Sequence, residues 1–335
     1  MNSRRRTQTM INAAEAPPIA AESEQRIPHA PDEMNASWPL PRTPFVSSPY
    51  RLAGRELHPQ DSVFSVIPTN GVSFQVGADA FSVIGGPCTV ESEQQIVETA
   101  IAVRRAGGAA LRGGAFKPRT SPYSFQGLKE DGLKMLATAR KETGLAVVTE
   151  VMSIDKVDLV AEYADIIQIG SRNMQNYPLL EAVGALDKPV LLKRGLSATV
   201  SEFLSAAEYV LARGNQSVIL CERGIRTFES DTRFTLALGT VALLKEKTHL
   251  PILVDPSHGV GKASLVRPMS RAAIAAGADG LLIEVHPDPI HSVVDGDQSI
   301  GFDTFAAIMN DILQLAPIVG KSICHAASIE VGVKK

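Results

Sequence analysis

Between residues 81 and 286 one unit recurs eight times: a short apolar run, a polar or glycine-bearing turn, and then a helix-length segment. The runs are FSVIGG (81–86), AALRGG (109–114), LAVVTE (145–150), DIIQIG (165–170), PVLLKRG (189–195), SVILCERG (217–224), PILVDPSH (251–258) and DGLLIEVH (279–286). They are continuously apolar rather than alternating, so both faces of each strand must be covered, as in parallel strands overlaid by helices. Eight such units between residues 81 and 320 match the (β/α)8 TIM barrel, an α/β fold that typically takes about 250 residues.

The intervening segments carry helix signals. Ser92 with Gln95, and Thr199 with Glu202, have the spacing of a capping box. Gly144, Gly214 and Gly277 stand where helices close. In the last segment Phe302, Phe305, Met309, Ile312 and Leu313 recur at helical spacing, which predicts one face laid on the barrel.

The flanks read differently. Residues 1–48 hold seven of the 21 prolines and show no periodicity, which predicts a disordered tail. Residues 49–80 form an extension with a β-hairpin signal: Val72, Phe74 and Val76 alternate, Gly77 to Asp79 turn, and Phe81 and Val83 alternate again. The barrel then occupies 81–320 and a short tail 321–335. A net charge of -3 argues against a nucleic-acid partner. No apolar run approaches the roughly 18 residues of a membrane span. Three widely spaced cysteines fit a reducing compartment, the cytoplasm. Arg4, Arg5 and Arg6 are followed by no apolar stretch, and Glu15, Glu22 and Glu24 are foreign to a transit peptide, so no export signal is read.

A barrel places its active site at the C-terminal ends of its strands, and there each run delivers a chemical group. In order these are Cys88; Arg112 with Lys117 and Arg119; Glu150; Arg172; Lys193; Glu222 with Arg223; His258; and Glu284 with His286. One set is Cys88, His258, Glu284 and an aspartate of the last loop, where Asp288, Asp295 and Asp297 are available. Thiolate, imidazole and carboxylate together suit a borderline divalent metal, Mn, Fe, Co or Zn. Singly, a cysteine after Gly-Pro or a strand-end histidine is more often structural; placement on the first, seventh and eighth strands, neighbours in a closed barrel, favours ligation. The other set is cationic: Arg112, Lys117, Arg119, Arg172, Lys193 and Arg223. Ion pairs with Glu130 or Glu222 are the bland alternative, yet cations that end apolar strands predict at least two bound anionic groups. The glycine-rich VDPSHGVGKAS does not fit a nucleotide loop, because Pro256 and Ala263 occupy the positions where Gly and Ser or Thr are required.

The ordered stretches GGPCTVES, LRGGAFKPRTSPYSFQG, VVTE, DIIQIGSRNMQN, PVLLKRG, VILCERGIRTFE, VDPSH and IEVHPDP resemble 3-deoxy-D-arabino-heptulosonate 7-phosphate (DAHP) synthases of the type I beta group, over residues 49 to about 317. The resemblance implies a transferase that condenses phosphoenolpyruvate with erythrose 4-phosphate, the first step of the shikimate pathway to chorismate and the aromatic amino acids. It implies Cys88, His258, Glu284 and Asp295 as metal ligands, which selects Asp295 from the three candidates. It implies Arg172, Lys193 and Arg223 for the phosphate of phosphoenolpyruvate, Arg112 with Lys117 for its carboxylate, and Arg119 with Thr120 for the aldose. Glu150 would order the site, and Lys117 and His286 would transfer protons. A homodimer or homotetramer is also implied.

The nearest alternative is 3-deoxy-D-manno-octulosonate 8-phosphate synthase, which uses arabinose 5-phosphate. Those relatives typically carry a KANRS type of segment where this chain has KPRT, and often Asn where it has Cys88. A non-catalytic binding barrel is a third reading, opposed by the complete set of candidate ligands and cations. Because residues 1–48 resemble neither a ferredoxin-like regulatory domain nor a chorismate mutase, feedback inhibition by Tyr, Phe or prephenate is expected to be weak or absent. Rates of the purified chain titrated with each effector check this, and a clear inhibition curve would count against it.

Overall fold

The computed structural model describes residues 48–324 apart from Asn70, Pro122 and 118–120. Residues 1–47 of the proline-rich tail and 325–335 of the C-terminal tail lie outside the described residues. After two short strands, β1 (Phe64–Val66) and β2 (Phe74–Val76), the eight apolar runs become β3 (Ala80–Gly86), β4 (Ala110–Arg112), β5 (Ala146–Glu150), β6 (Ile166–Ile169), β7 (Val190–Lys193), β8 (Val218–Glu222), β9 (Ile252–Val254) and β10 (Gly280–Glu284). Each pairs in parallel with the next. The set closes when β10 pairs with β3 over five residues, from Gly280 opposite Ser82 to Glu284 opposite Gly86. A further short strand, β11 (Ser322–Ile323), pairs with the start of β3.

Helices α1 (Glu93–Arg105), α2 (Glu130–Thr143), α3 (Val157–Tyr163), α4 (Tyr177–Gly184), α5 (Val200–Ala212), α6 (Leu238–Lys247), α7 (Pro256–Val260), α8 (Ala263–Ala275) and α9 (Phe302–Leu315) follow the strands. Thr199 forms the complete capping box with Glu202. At α1 the reciprocal half differs: Ser92 accepts from the Gln95 amide, but the Gln95 side chain takes the amide of Glu91. On α9 the buried stripe is Phe305, Ile308, Met309 and Ile312, while Leu313 is 47% exposed. Ile308 rather than Leu313 thus completes the face, because the stripe lies one position back along the helix. Contrary to the expectation from apolar runs, Phe302–Val319 is apolar enough over 18 residues to span a bilayer by length and composition. Its buried side chains are packed into the barrel's helical layer instead.

Side-chain parity divides the core into two. Val83, Val190, Leu192, Leu220 and Ile283 face the helices, while Ile84, Leu191, Ile219, Leu253 and Leu282 fill the barrel interior. The N-terminal hairpin belongs to this interior. β1 pairs antiparallel with β2, and Val66, Phe74 and Val76 pack on the inward-facing residues. Hydrogen bonds from Ser62 to His249, Thr69 to Asp165, Val72 to Gly144 and Ser82 to Gln75 tie the hairpin to the N-terminal ends of the strands. The alternation over 72–83 marked a turn, but its partner assignment is corrected: β2 pairs back with Phe64–Val66, because β3 is already committed on both edges to the barrel. The hairpin closes the bottom, so the open mouth lies at the opposite end.

The seam between β3 and β10 requires Gly280, where a Cβ would stand 2.2 Å from the Ser82 carbonyl oxygen, and the end of β3 requires Gly86 where it passes β4. Gly86 has φ +149 and a Cβ there would stand 2.0 Å from the Arg112 carbonyl oxygen. Gly86→Ala is therefore expected to lower unfolding free energy by on the order of 2 to 4 kcal/mol, measured by denaturant titration; an unchanged midpoint would mean this strand end tolerates displacement.

Candidate active site at the C-terminal ends of the strands

The sequence VDPSHGVG builds a single helical turn at the end of β9. Asp255 is its N-cap, Pro256 opens it without needing a donor, and Gly261 ends it at φ 70. Asp255 acts twice on the same residue: Oδ1 accepts the amide of His258 at 2.9 Å, and Oδ2 meets His258 Nδ1 at 2.7 Å. That contact puts the proton on Nδ1 and turns the Nε2 lone pair towards the mouth. Nε2 lies 3.3 Å from Oε1 of Glu284, the last residue of β10. Cys88, two residues beyond β3, lies 3.1 Å through Sγ from Oδ2 of Asp295. One donor atom from each of these four side chains falls within 4.8 Å of every other.

Electron-rich atoms so close together are held by surrounding cations. Arg112 donates to Glu284 at 2.8 Å, and Gln298 donates to the other oxygen of the same carboxylate at 2.6 Å. Burial works to raise Glu284, but His258 and Arg112 outweigh it and bring its pKa down to about 2. Burial pulls His258 below the usual imidazole range, against Asp255 and Glu284. Lys117 Nζ sits 3.0 Å from both the Cys88 sulfur and its carbonyl oxygen. Burial and then Glu284 push the Cys88 thiol up. Burial opposes the charge on Lys117, yet the sulfur and Glu284 leave it raised, so it is an ammonium. Lys193 reaches Asp255 Oδ2 at 2.5 Å, completing a chain from Lys193 through Asp255 to His258.

Beside this cluster opens a cavity of roughly 330 Å3. Its lining includes six cationic side chains, Arg112, Lys117, Arg172, Lys193, Arg223 and Arg233, against the carboxylates of Glu150 and Asp295. Arg223 is 4% exposed and lies over the Phe234 ring at 4.2 Å, with no carboxylate in salt-bridge range among the described residues. Arg172 likewise has no ion pair or hydrogen bond among the described residues. Glu130 pairs with Lys134, and Glu222 with Arg194, so neither neutralises these cations. Gln168 donates to Glu150 at 2.9 Å and fixes that carboxylate at the wall.

The structure thus brings together Cys88, His258, Glu284 and Asp295, and lines one cavity with Arg112, Lys117, Glu150, Arg172, Lys193 and Arg223. Arg119 and Thr120 lie outside the described residues. His286 does not line the cavity: its ring is turned to Glu91, whose Oε2 is 3.4 Å from Nε2, and Nδ1 accepts from the Asp288 amide. Asp255, Arg233, Phe234 and Gln298 escaped the reading of strand ends. Asp255 stood in the VDPSH stretch as a visible N-cap, whereas Arg233, Phe234 and Gln298 sit in loops and carry no local signal.

The sequence profile described as the DAHP synthetase I family matches residues 65–317. The chain belongs to this family. Among curated members it is 50% identical to phospho-2-dehydro-3-deoxyheptonate aldolase of Thermotoga maritima over 83% of this chain and 81% of that one. The crystal structure of DAHP synthase from T. maritima superposes with a TM-score of 0.79 at 49% identity, covering 83% of this chain and 80% of that one. A truncated form of the Thermotoga enzyme is covered over its whole length, with a TM-score of 0.75 at 45% identity over 82% of this chain. A 2-dehydro-3-deoxyphosphooctonate aldolase of Nitratidesulfovibrio vulgaris is more distant, 33% identical over 70% of this chain and 91% of that one. Within the DAHP synthetase I barrel, strand-end charge is thus divided between a donor cluster and a cationic cavity.

One buried ion pair serves neither. Arg194 Nη1 meets Glu222 Oε2 at 2.7 Å with the carboxylate fully buried. Glu222→Ala would leave the guanidinium uncompensated and is expected to cost about 3 to 5 kcal/mol of stability. Chemical denaturation measures this, and simultaneous replacement of both residues by apolar side chains should recover much of the loss.

Proposed function

We propose that this chain condenses phosphoenolpyruvate with D-erythrose 4-phosphate and water, giving DAHP and phosphate, in a reaction that depends on a divalent metal. The observation that carries it is a buried, carboxylate-free Arg223 with Arg172 and Lys193 in the same cavity as a four-donor cluster. An uncompensated buried cation is costly unless an anion joins it. The activities named for the 50% identical relative and for the Thermotoga maritima DAHP synthase structure support the choice of reaction.

Cys88, His258, Glu284 and Asp295 would hold Mn, Fe, Co or Zn. Two contacts support the fit: His258 Nε2 faces Glu284 Oε1 at 3.3 Å, and Cys88 Sγ faces Asp295 Oδ2 at 3.1 Å, a mixed S, N, O set suited to a borderline cation. The ion supplies Lewis acidity towards an aldehyde oxygen. Arg172, Lys193 and Arg223 bind the phosphate of phosphoenolpyruvate, and Arg112 and Lys117 its carboxylate. Arg119 and Thr120 bind the aldose. C3 of phosphoenolpyruvate bonds to the aldehyde carbon, water supplies the hydroxyl at C2, and cleavage of the C2–O bond expels phosphate. Holding two mutually repelling anions in one orientation is the larger part of the residues' work. Lys117, kept as an ammonium, is the proton donor beside the cluster, and Glu150, oriented by Gln168, orders the opposite wall. For proton transfer we favour Lys117 over His286, because only Lys117 lines the cavity. Three free thiols fit a cytoplasmic enzyme.

The test follows phosphoenolpyruvate loss and phosphate release with each aldose, before and after chelation. Consumption with erythrose 4-phosphate, its loss on chelation and its return with a divalent ion are expected. Preference for arabinose 5-phosphate would overturn the substrate assignment, and full activity after thorough chelation would overturn the metal. Arg223→Ala should raise the KM for phosphoenolpyruvate at least ~10-fold, the effect of losing a charged hydrogen-bonding partner.

A further inference from the structure

Two of the four clustered donors stand on loops rather than on strand ends. Cys88 follows β3, and Asp295 lies in the long connection between β10 and α9. Asp295 has φ 58, a left-handed backbone uncommon outside glycine although aspartate is among the residues that reach it, so its place in the loop still needs contacts to fix it. Hydrophobic burial does little to fix it upstream: Ile290 is 89% and Val293 55% exposed, and only Val294 is buried just before the aspartate.

Glu91 supplies what burial does not. It sits three residues beyond Cys88, with a mostly buried side chain. Its Oε1 accepts the amide of Val293 at 3.0 Å and lies 3.1 Å from the Ser292 hydroxyl. Its Oε2 faces His286 Nε2 at 3.4 Å. Because His286 Nδ1 accepts the Asp288 amide at 3.0 Å, the ring N–H is on Nε2, directed at Glu91. That Nε2 is buried and has no partner in good hydrogen-bond geometry, and the Glu91 carboxylate lies beside it. One carboxylate therefore grips both ends of the 286–293 segment from the loop that carries Cys88.

We propose that Glu91 is a positioning residue, with His286 as its support: it clamps the Asp295 loop to the Cys88 loop so that the fourth donor stands ready for the cation. This rests on the reading of Asp295 as a ligand. Glu91 touches none of the four donors. On this proposal its effect on a bound ion passes through Asp295, rather than through Cys88 of its own loop, and that separates it from a direct ligand and from a merely stabilising contact.

The experiment is calorimetric titration of the chelated full-length chain with MnCl2, for wild type, Glu91→Ala, Glu91→Gln, Asp295→Asn and the Glu91→Ala/Asp295→Asn double variant. Glu91→Ala should weaken Mn2+ binding 10- to 100-fold, the usual effect of losing a group that orients a ligand. Glu91→Gln, which keeps the acceptor for Ser292 and Val293, should recover part of the loss, and it stands in for the alanine variant if that fails to fold. The double variant should bind no more weakly than Asp295→Asn alone. Affinity within threefold of wild type in Glu91→Ala, or a loss that adds fully to that of Asp295→Asn, would overturn the proposal. If Asp295→Asn itself leaves Mn2+ affinity unchanged, the ligand reading fails and the clamp falls with it, an outcome distinct from the other two.

Discussion

The parallel pairing of β10 with β3 is the contact on which the rest depends. It joins strands separated by nearly the whole barrel sequence and sets Glu284 opposite Gly86. With that register, the carboxylate that ends β10 and the cysteine two residues past β3 come within reach of one another. A shift of one residue would turn Glu284 from the interior to the helical layer, because side chains alternate along a strand. Gly280 permits the close approach of the Ser82 backbone across this seam, and Gly86 that of Arg112 on the neighbouring β4. Arg112 in turn sends its guanidinium to Glu284, so β4 is tied to both strands of the closure.

Around that seam, charges are arranged in linked pairs. Lys193 and His258 share Asp255, Arg112 and Gln298 share Glu284, and Lys117 covers Cys88. Each buried anion has its partners, as burial at low dielectric requires. The exceptions lie on the cavity side, where Arg223 rests on an aromatic face and Arg172 has no described partner. At the opposite end Val66, Phe74 and Val76 of the hairpin seal the floor of the interior. Charges occur at that end too, but Asp165 and Asp279 are paired there with Arg140, Lys245 and Lys321, so what sets the open mouth apart is cations that face a cavity without a carboxylate partner.

Much of this was legible in the chain. The eight apolar runs became the eight barrel strands, since a strand buried on both faces leaves an unmistakable local pattern. Most strand-end charges were legible for the same reason: an ionisable residue that ends a buried strand is delivered towards the mouth. Glu222 and His286 show the limit of that rule: Glu222 ends β8 but pairs with Arg194, and His286 stands two residues past the end of β10, where the chain has turned towards Glu91. Arg233 and Gln298 were invisible, because loops have no periodicity to anchor an inference. The hairpin was visible as a turn and misassigned in its partner, because pairing is decided by which strand edges remain free.

The sequence by itself determined the fold class, the family and the chemical character of the site, because each is written in short-range patterns of burial, capping and ordered motifs. Only the tertiary structure decided which groups meet. That Asp255 also reaches Lys193, that Arg223 is left for an anion, and that Glu91 reaches across to the Asp295 loop are consequences of barrel closure. They bring together residues up to 202 positions apart, on which local propensity has no bearing.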